Sequence, residues 1–202
     1  IVSQNPQSQV CRCWRRYALK RKKLVRRFTL LLLITIWTSL SMAQDYPDYA
    51  SYCPDYAEIF KEKGAGQGGI PLPEKLDSSK LDYTIESLKS IDNYLVQLNA
   101  AANQLDNNQA TNVIVFGGCY IGQVIIKNST KEFKWFNYHD YLANTEQGKK
   151  LAQSGQLPYD TSTSILLVSK SGSMTLPLNK VARAIYEGPE NNIHFYASGE
   201  LK

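Results

Sequence analysis

Cysteine, histidine and a carboxylate are the residue types of a thiol hydrolase, and Cys119, His139 and Asp140 offer one of each. In such a site the imidazole takes the thiol proton and the carboxylate orients the imidazole. No family-specific sequence surrounds Cys119, and His139 beside Tyr138 fits a surface or packing role at the end of a strand. The only other histidine is His194. Two imidazoles so far apart in sequence fall short of the four ligands a zinc site draws, so no metal is expected. Asp82 and Glu86, four apart on one helix face, read as a solvated charged face. Asp92 is expected to form a structural salt bridge with Lys127. Ser87 lacks a Gly-x-Ser-x-Gly setting. The glycine-rich stretch 64–73 lacks the Gly-Lys-Ser/Thr ending of a phosphate loop, so it reads as a linker and no cofactor is implied.

Binding chemistry is better represented. Phe133, Trp135, Phe136, Tyr138 and Tyr141 form a dense aromatic run. On a strand, Phe133 and Trp135 face one way while Phe136 and Tyr138 face the other. One side must pack against helices; the other is either covered as well or an aromatic face of the kind enriched at protein interfaces. Trp135, Phe136 and Tyr138, with Tyr120, are the candidate binding residues. A tyrosine-rich, acidic strap precedes the domain, with Pro47-Asp-Tyr-Ala and Pro54-Asp-Tyr-Ala seven residues apart. It reads as a Pro-punctuated strap with its tyrosines on the surface, with a helical turn near 55–63.

The compartment follows from the N-terminus. Nine of the 23 basic residues precede residue 28, and no acidic residue appears before Asp45. From Gln44 onward, 14 basic residues stand against all 18 acidic ones, a net of −4. The basic balance thus belongs to the leader, and a mildly acidic domain is repelled by a polyanion, which disfavours nucleic acid as a partner. The 16 uncharged residues from Phe28 to Ala43 are short of the roughly 20 that span a bilayer and suit a signal peptide's apolar region. Ser41 and Ala43 have the spacing signal peptidase reads, so cleavage after Ala43 is expected; the alternative is an uncleaved anchor. Translation beginning near Leu24 is also expected, which would leave Cys11 and Cys13 without a role. In an oxidising compartment the remaining thiols, Cys53 and Cys119, have one possible pairing. Such a bond is worth about 4–5 kcal/mol if unstrained, and it competes with the thiol-hydrolase reading.

The elements that must position these groups are legible in outline. Leu81, Ile85, Leu88, Ile91, Leu95 and Leu98 recur on a helical period and predict a helix over 79–98, extending as far as 105. Residues 131–138 and 162–169 read as strands. Gly172 and 174–176 suggest a hairpin, Pro177 starts a helix over 178–187, and 192–197 form a last short strand or helix. Residues 112–128 are β-branched and apolar, which favours a strand by composition.

Two segments resemble a widespread, uncharacterised bacterial domain of unknown function: Leu81-Asp82-Tyr83-Thr-Ile-Glu86-Ser87-Leu88 running on to Ile91-Asp92, and Gly118-Cys-Tyr120-Ile-Gly122-Gln123-Val-Ile. The resemblance covers about residues 77–197 and implies that 110–128 is a buried helix packed on the first one. Gln123 and Ile126-Lys127 depart from its acidic and Arg-Arg positions. The expected architecture is α+β, two packed helices against a small antiparallel sheet. It is preceded by a signal peptide or anchor (1–43) and a strap and linker (44–76), the domain itself being 77–202. The expected function is protein–protein binding outside the cytoplasm, periplasmic, secreted or anchored in the inner membrane. Immunity to a secreted toxin and service to an envelope complex both fit. The rival is a small envelope hydrolase.

Overall fold

The computed structural model describes residues 47–64 and 69–201. The leader, the apolar run 28–43, Cys11, Cys13 and the middle of the glycine-rich stretch lie outside the described residues.

The segment read as a surface strap is instead part of the core. A 3-10 turn, Ala50–Tyr52, leads into helix α1, Cys53–Lys61, which has Pro54 and Asp55 in its first turn and Lys61 in its last. Proline needs no hydrogen-bond partner there, and the charges oppose the helix dipole. Cys53, Ala57 and Phe60 recur at spacings of four and three and are completely buried, while Tyr49 and Tyr52 stay exposed.

The expected helix from residue 79 begins only at Leu88: helix α2 is Leu88–Ala100. The apolar period is real, since Leu81, Leu88, Ile91, Leu95 and Leu98 are all buried. Polar side chains break the backbone before residue 88. Asp82 Oδ1 accepts from Thr84 N at 3.0 Å and Thr84 Oγ1 at 2.6 Å, closing a turn on itself. Tyr83 takes φ +65°, a left-handed conformation uncommon for a bulky side chain.

Helix α3, Asn107–Asn128, forms the centre. Asp106 caps it by accepting from Asn108 N and Gln109 N. Its middle, Val113–Gly117, widens into a π turn before the α-helix resumes at Gly118. β-branched residues do not make it a strand because glycine lets neighbours close on a helix. A Cβ on Gly118 would stand 2.7 Å from the Leu178 backbone, and one on Gly122 only 2.0 Å from the Trp135 ring. By length and composition α3 could cross a bilayer, but 67% of its apolar window is buried within this fold.

The sheet has order β1-β2-β3, all antiparallel: Phe133–Asn137, Ile165–Ser169 and Met174–Thr175. Phe133 lies opposite Ser169 and Asn137 opposite Ile165. Two helices that the sequence reading left unassigned join β1 to β2: α4, Tyr138–Asn144, and α5, Glu146–Ser154. Both sheet faces are therefore covered. Phe133, Trp135, Ile165 and Leu167 join the main core, whereas Phe136, Leu166 and Val168 pack with Tyr141, Leu142 and Leu151. Helix α6, Pro177–Tyr186, and helix α7, Ile193–Glu200, complete the fold. The described chain is thus a mixture of helices and a small antiparallel sheet, an α+β architecture.

Candidate binding surface

The residues of a thiol hydrolase do not assemble. Cys119 is completely buried in α3 and bonded to Cys53 of α1, with Cα atoms 5.0 Å apart, so no thiolate is present. His139 packs on α4 between the Tyr138 and Tyr159 rings, 5.1 and 4.6 Å away. Asp140 is exposed and accepts from Asn137 Nδ2 at 2.9 Å. Among the described residues no group of three His, Cys, Asp or Glu side chains is placed to hold a metal.

The four aromatics proposed for binding are not an open sheet face either. Tyr120 is fully buried, and Tyr138 is 8% exposed with its hydroxyl donating to Leu157 O at 2.6 Å. Phe136 meets Tyr141 edge-on in the smaller core. Trp135 fills the space left by Gly122, its indole nitrogen buried without a hydrogen-bond partner among the described residues. The alternation along β1 holds for Phe133, Trp135 and Phe136, but Tyr138 lies at the start of α4 rather than on the strand, and α4 and α5 pack over the Phe136 face.

The motif residues that carry the resemblance form a polar staple inside the fold. Tyr83 N–H donates to Tyr120 Oη at 3.0 Å, and Tyr120 Oη lies 2.9 Å from Ser87 Oγ. Ser87 spends its single proton on Thr84 O at 2.6 Å, so Tyr120 is the donor to Ser87. The Tyr83 ring stacks on Tyr120 at 4.7 Å and carries Lys127 Nζ 3.5 Å above its centroid. Burial, reinforced by the Tyr83 hydrogen bond to Glu58 at 2.7 Å, raises the Tyr83 pKa. Burial likewise raises that of Tyr120. These phenols stay protonated and build structure.

Asp92 does not pair with Lys127. Its two oxygens accept from Ile193 N at 2.6 Å and His194 N at 3.0 Å, capping helix α7. Half-burial raises its pKa despite those two backbone donors. His194 Nε2 in turn lies 3.5 Å from Glu86 Oε1.

One of the openings in the surface lies beside the strap. A cleft of about 370 Å³ is walled by Tyr49, Tyr56, Val115, Phe116, Tyr159 and Ile165. The π turn of α3 contributes Val115 and Phe116 to this lining. Tyr56 and Phe116 lie 5.3 Å apart, and Tyr49 and Tyr159 are 45% and 51% exposed. Thr111, Thr161 and Ser164 add hydroxyls to the lining, which contains no Asp, Glu, Lys or Arg among the described residues. The volume is at the lower end of the range for ligand sites, about 300–1,000 Å³. Sequence reading singled out the tyrosines of the strap but missed Phe116 and Tyr159, which sit in segments with no binding pattern of their own.

Comparison with protein-family models, curated proteins and solved structures finds no match to this chain.

Proposed function

We propose that this is an exported protein that acts by binding a protein partner through the tyrosine-lined cleft beside the strap. The observation that carries this reading is the cleft itself: half-exposed tyrosines beside apolar side chains and hydroxyls, with no charged side chain among the described residues that line it. Tyrosine supplies large contact area at small entropic cost and keeps one polar end for hydrogen bonding. Export is supported by the basic and apolar leader and by the Cys53–Cys119 bond, which belongs in an oxidising compartment. The domain then works outside the cytoplasm, released after cleavage behind Ala43 or held by its leader.

The test is photo-crosslinking in the native envelope, with a benzophenone amino acid at position 159 of the full chain and, as control, at position 186. Tyr186 is 57% exposed and does not line this cleft. A discrete protein adduct from position 159 alone is the expected result. Adducts from neither position, or equally from both, would overturn the reading. N-terminal sequencing of the same material separates a released from an anchored form.

A further inference from the structure

The strap stands between two clefts, and together they specify the chemistry of an occupant. Beyond the tyrosine-lined cleft, a second opening of about 370 Å³ is lined by Asp48, Ser51, Pro54, Trp135, Phe136 and Asp140, among others. One turn serves both: Tyr49 walls the first cleft, while Asp48 and Ala50 wall the second.

Their electrostatics differ sharply. Among the described residues, the first has no charged side chain in its lining, and the second has two carboxylates and no lysine or arginine. Those carboxylates are held together. Asn137 Nδ2 donates to Asp48 Oδ1 at 2.8 Å and to Asp140 Oδ2 at 2.9 Å, while its Oδ1 accepts from Ala50 N at 3.0 Å. Asn137 therefore ties the strap to the end of β1 and holds two carboxylates in one opening. The Asn137 hydrogen bond, ahead of that from Ser51 N, holds the Asp48 carboxyl below its usual pKa, so it is ionised at neutral pH.

We propose that the strap face takes an extended, proline-rich peptide segment of the partner, uncharged where it crosses the tyrosine-lined cleft and carrying an arginine or lysine that enters the Asp48–Asp140 cleft. This rests on the protein-binding reading above and narrows it. An extended prolyl chain has no internal hydrogen bonds, so its carbonyls are free to accept from tyrosine and threonine hydroxyls. Its rigidity leaves little entropy to lose, and prolyl rings lie flat on aromatic ones. Charged side chains in the first cleft would shed water and meet no opposite charge among the described residues. In the second, a guanidinium or ammonium group meets two carboxylates that Asn137 holds together, an arrangement that favours a cation.

Fluorescence anisotropy with full-length, detergent-solubilised protein tests this. The probe is a labelled ten-residue peptide of proline and alanine ending in arginine. Companion probes carry glutamine or glutamate in place of the arginine, or glycine and serine in place of the prolines. The arginine–proline peptide is expected to bind about tenfold more tightly than each companion, with affinity falling as salt rises. Asp140→Asn is expected to weaken the arginine peptide and leave the glutamine peptide unchanged, whereas Tyr159→Ser weakens both. Should Tyr159→Ser shift the melting temperature, Tyr49→Ser serves the same purpose. Equal binding of the companion peptides, or no peptide binding at all, would overturn the proposal. So would Tyr159-dependent binding of a linear oligosaccharide in place of peptide. A protein adduct at position 159 with no preference for the arginine–proline peptide sinks this narrower claim and leaves the protein-binding reading standing.

Discussion

The Tyr83 ring lies on the Tyr120 ring at 4.7 Å while the Tyr83 backbone N–H donates to the Tyr120 hydroxyl. One side chain thus satisfies both the face and the backbone of a residue in left-handed conformation. The cost of that conformation is offset because the turn it makes delivers Leu81 and Ile85 to the core ahead of α2.

Removing the hydroxyl should show its worth. Tyr120→Phe keeps the ring but strands the Tyr83 N–H and leaves Ser87 without its donor. A loss of about 1–3 kcal/mol is expected, the cost of a buried donor without a partner. Urea unfolding measures it, and a fall well below that range would mean water replaces the phenol.

Glycine at position 122 is required by the neighbouring indole rather than by backbone conformation. Gly122→Ala places a methyl carbon inside the space of Trp135, and overpacking of this kind costs about 1–3 kcal/mol. Gly118→Ala should cost at least as much, since it meets the Leu178 backbone, which cannot rotate away. Thermal melts of the two variants, with near-ultraviolet circular dichroism as a report on Trp135, check both.

The Cys53–Cys119 bond ties α1 to α3 across 66 residues of chain. Replacing both cysteines with alanine is expected to cost about 2–5 kcal/mol, chiefly by freeing the unfolded chain. Denaturant melts of the variant measure it. Thiol labelling of the native protein should modify neither residue until it is both unfolded and reduced.

Asp92 predicts a pH dependence with a definite sign. Its folded pKa is raised, so between the ordinary aspartate value and the raised one the native state binds more protons than the unfolded state. Stability must then fall as pH rises through that window. His194, together with Lys180, whose own pKa burial lowers, is among the groups that sense this carboxylate. Asp92→Asn, which cannot ionise, should therefore destabilise less near about pH 7 than near about pH 3. Melting temperatures of both proteins across that range decide it; a difference that grows with pH would refute the assignment.

Much of this was readable in the residues because burial and period are local. The stripe from Leu81 to Leu98, the strand through Trp135 and the proline-led helix at 177 each announce themselves within a dozen positions. Four features were not readable. The helix start at Leu88 depends on Asp82 capturing Thr84, a local competition that apolar spacing does not register. The strap packs inward because Cys53, Ala57 and Phe60 repeat beneath a more conspicuous pattern of tyrosines. Asp92 met the start of α7 rather than Lys127 because the partner lies about a hundred residues away, where sequence spacing has no bearing. The cleft itself joins residues from three separate segments, so only the fold could bring them together.

The cysteine bridge also governs how the molecule would come apart. The chain between positions 53 and 119 is a closed ring containing the Tyr83 turn and the whole of α2. A protease that cuts once inside that ring, for instance at the exposed Glu74 and Lys75, produces no free fragment. Both halves of the tyrosine-lined cleft remain on a single covalent unit, and damaged molecules migrate as whole ones until a reductant parts them.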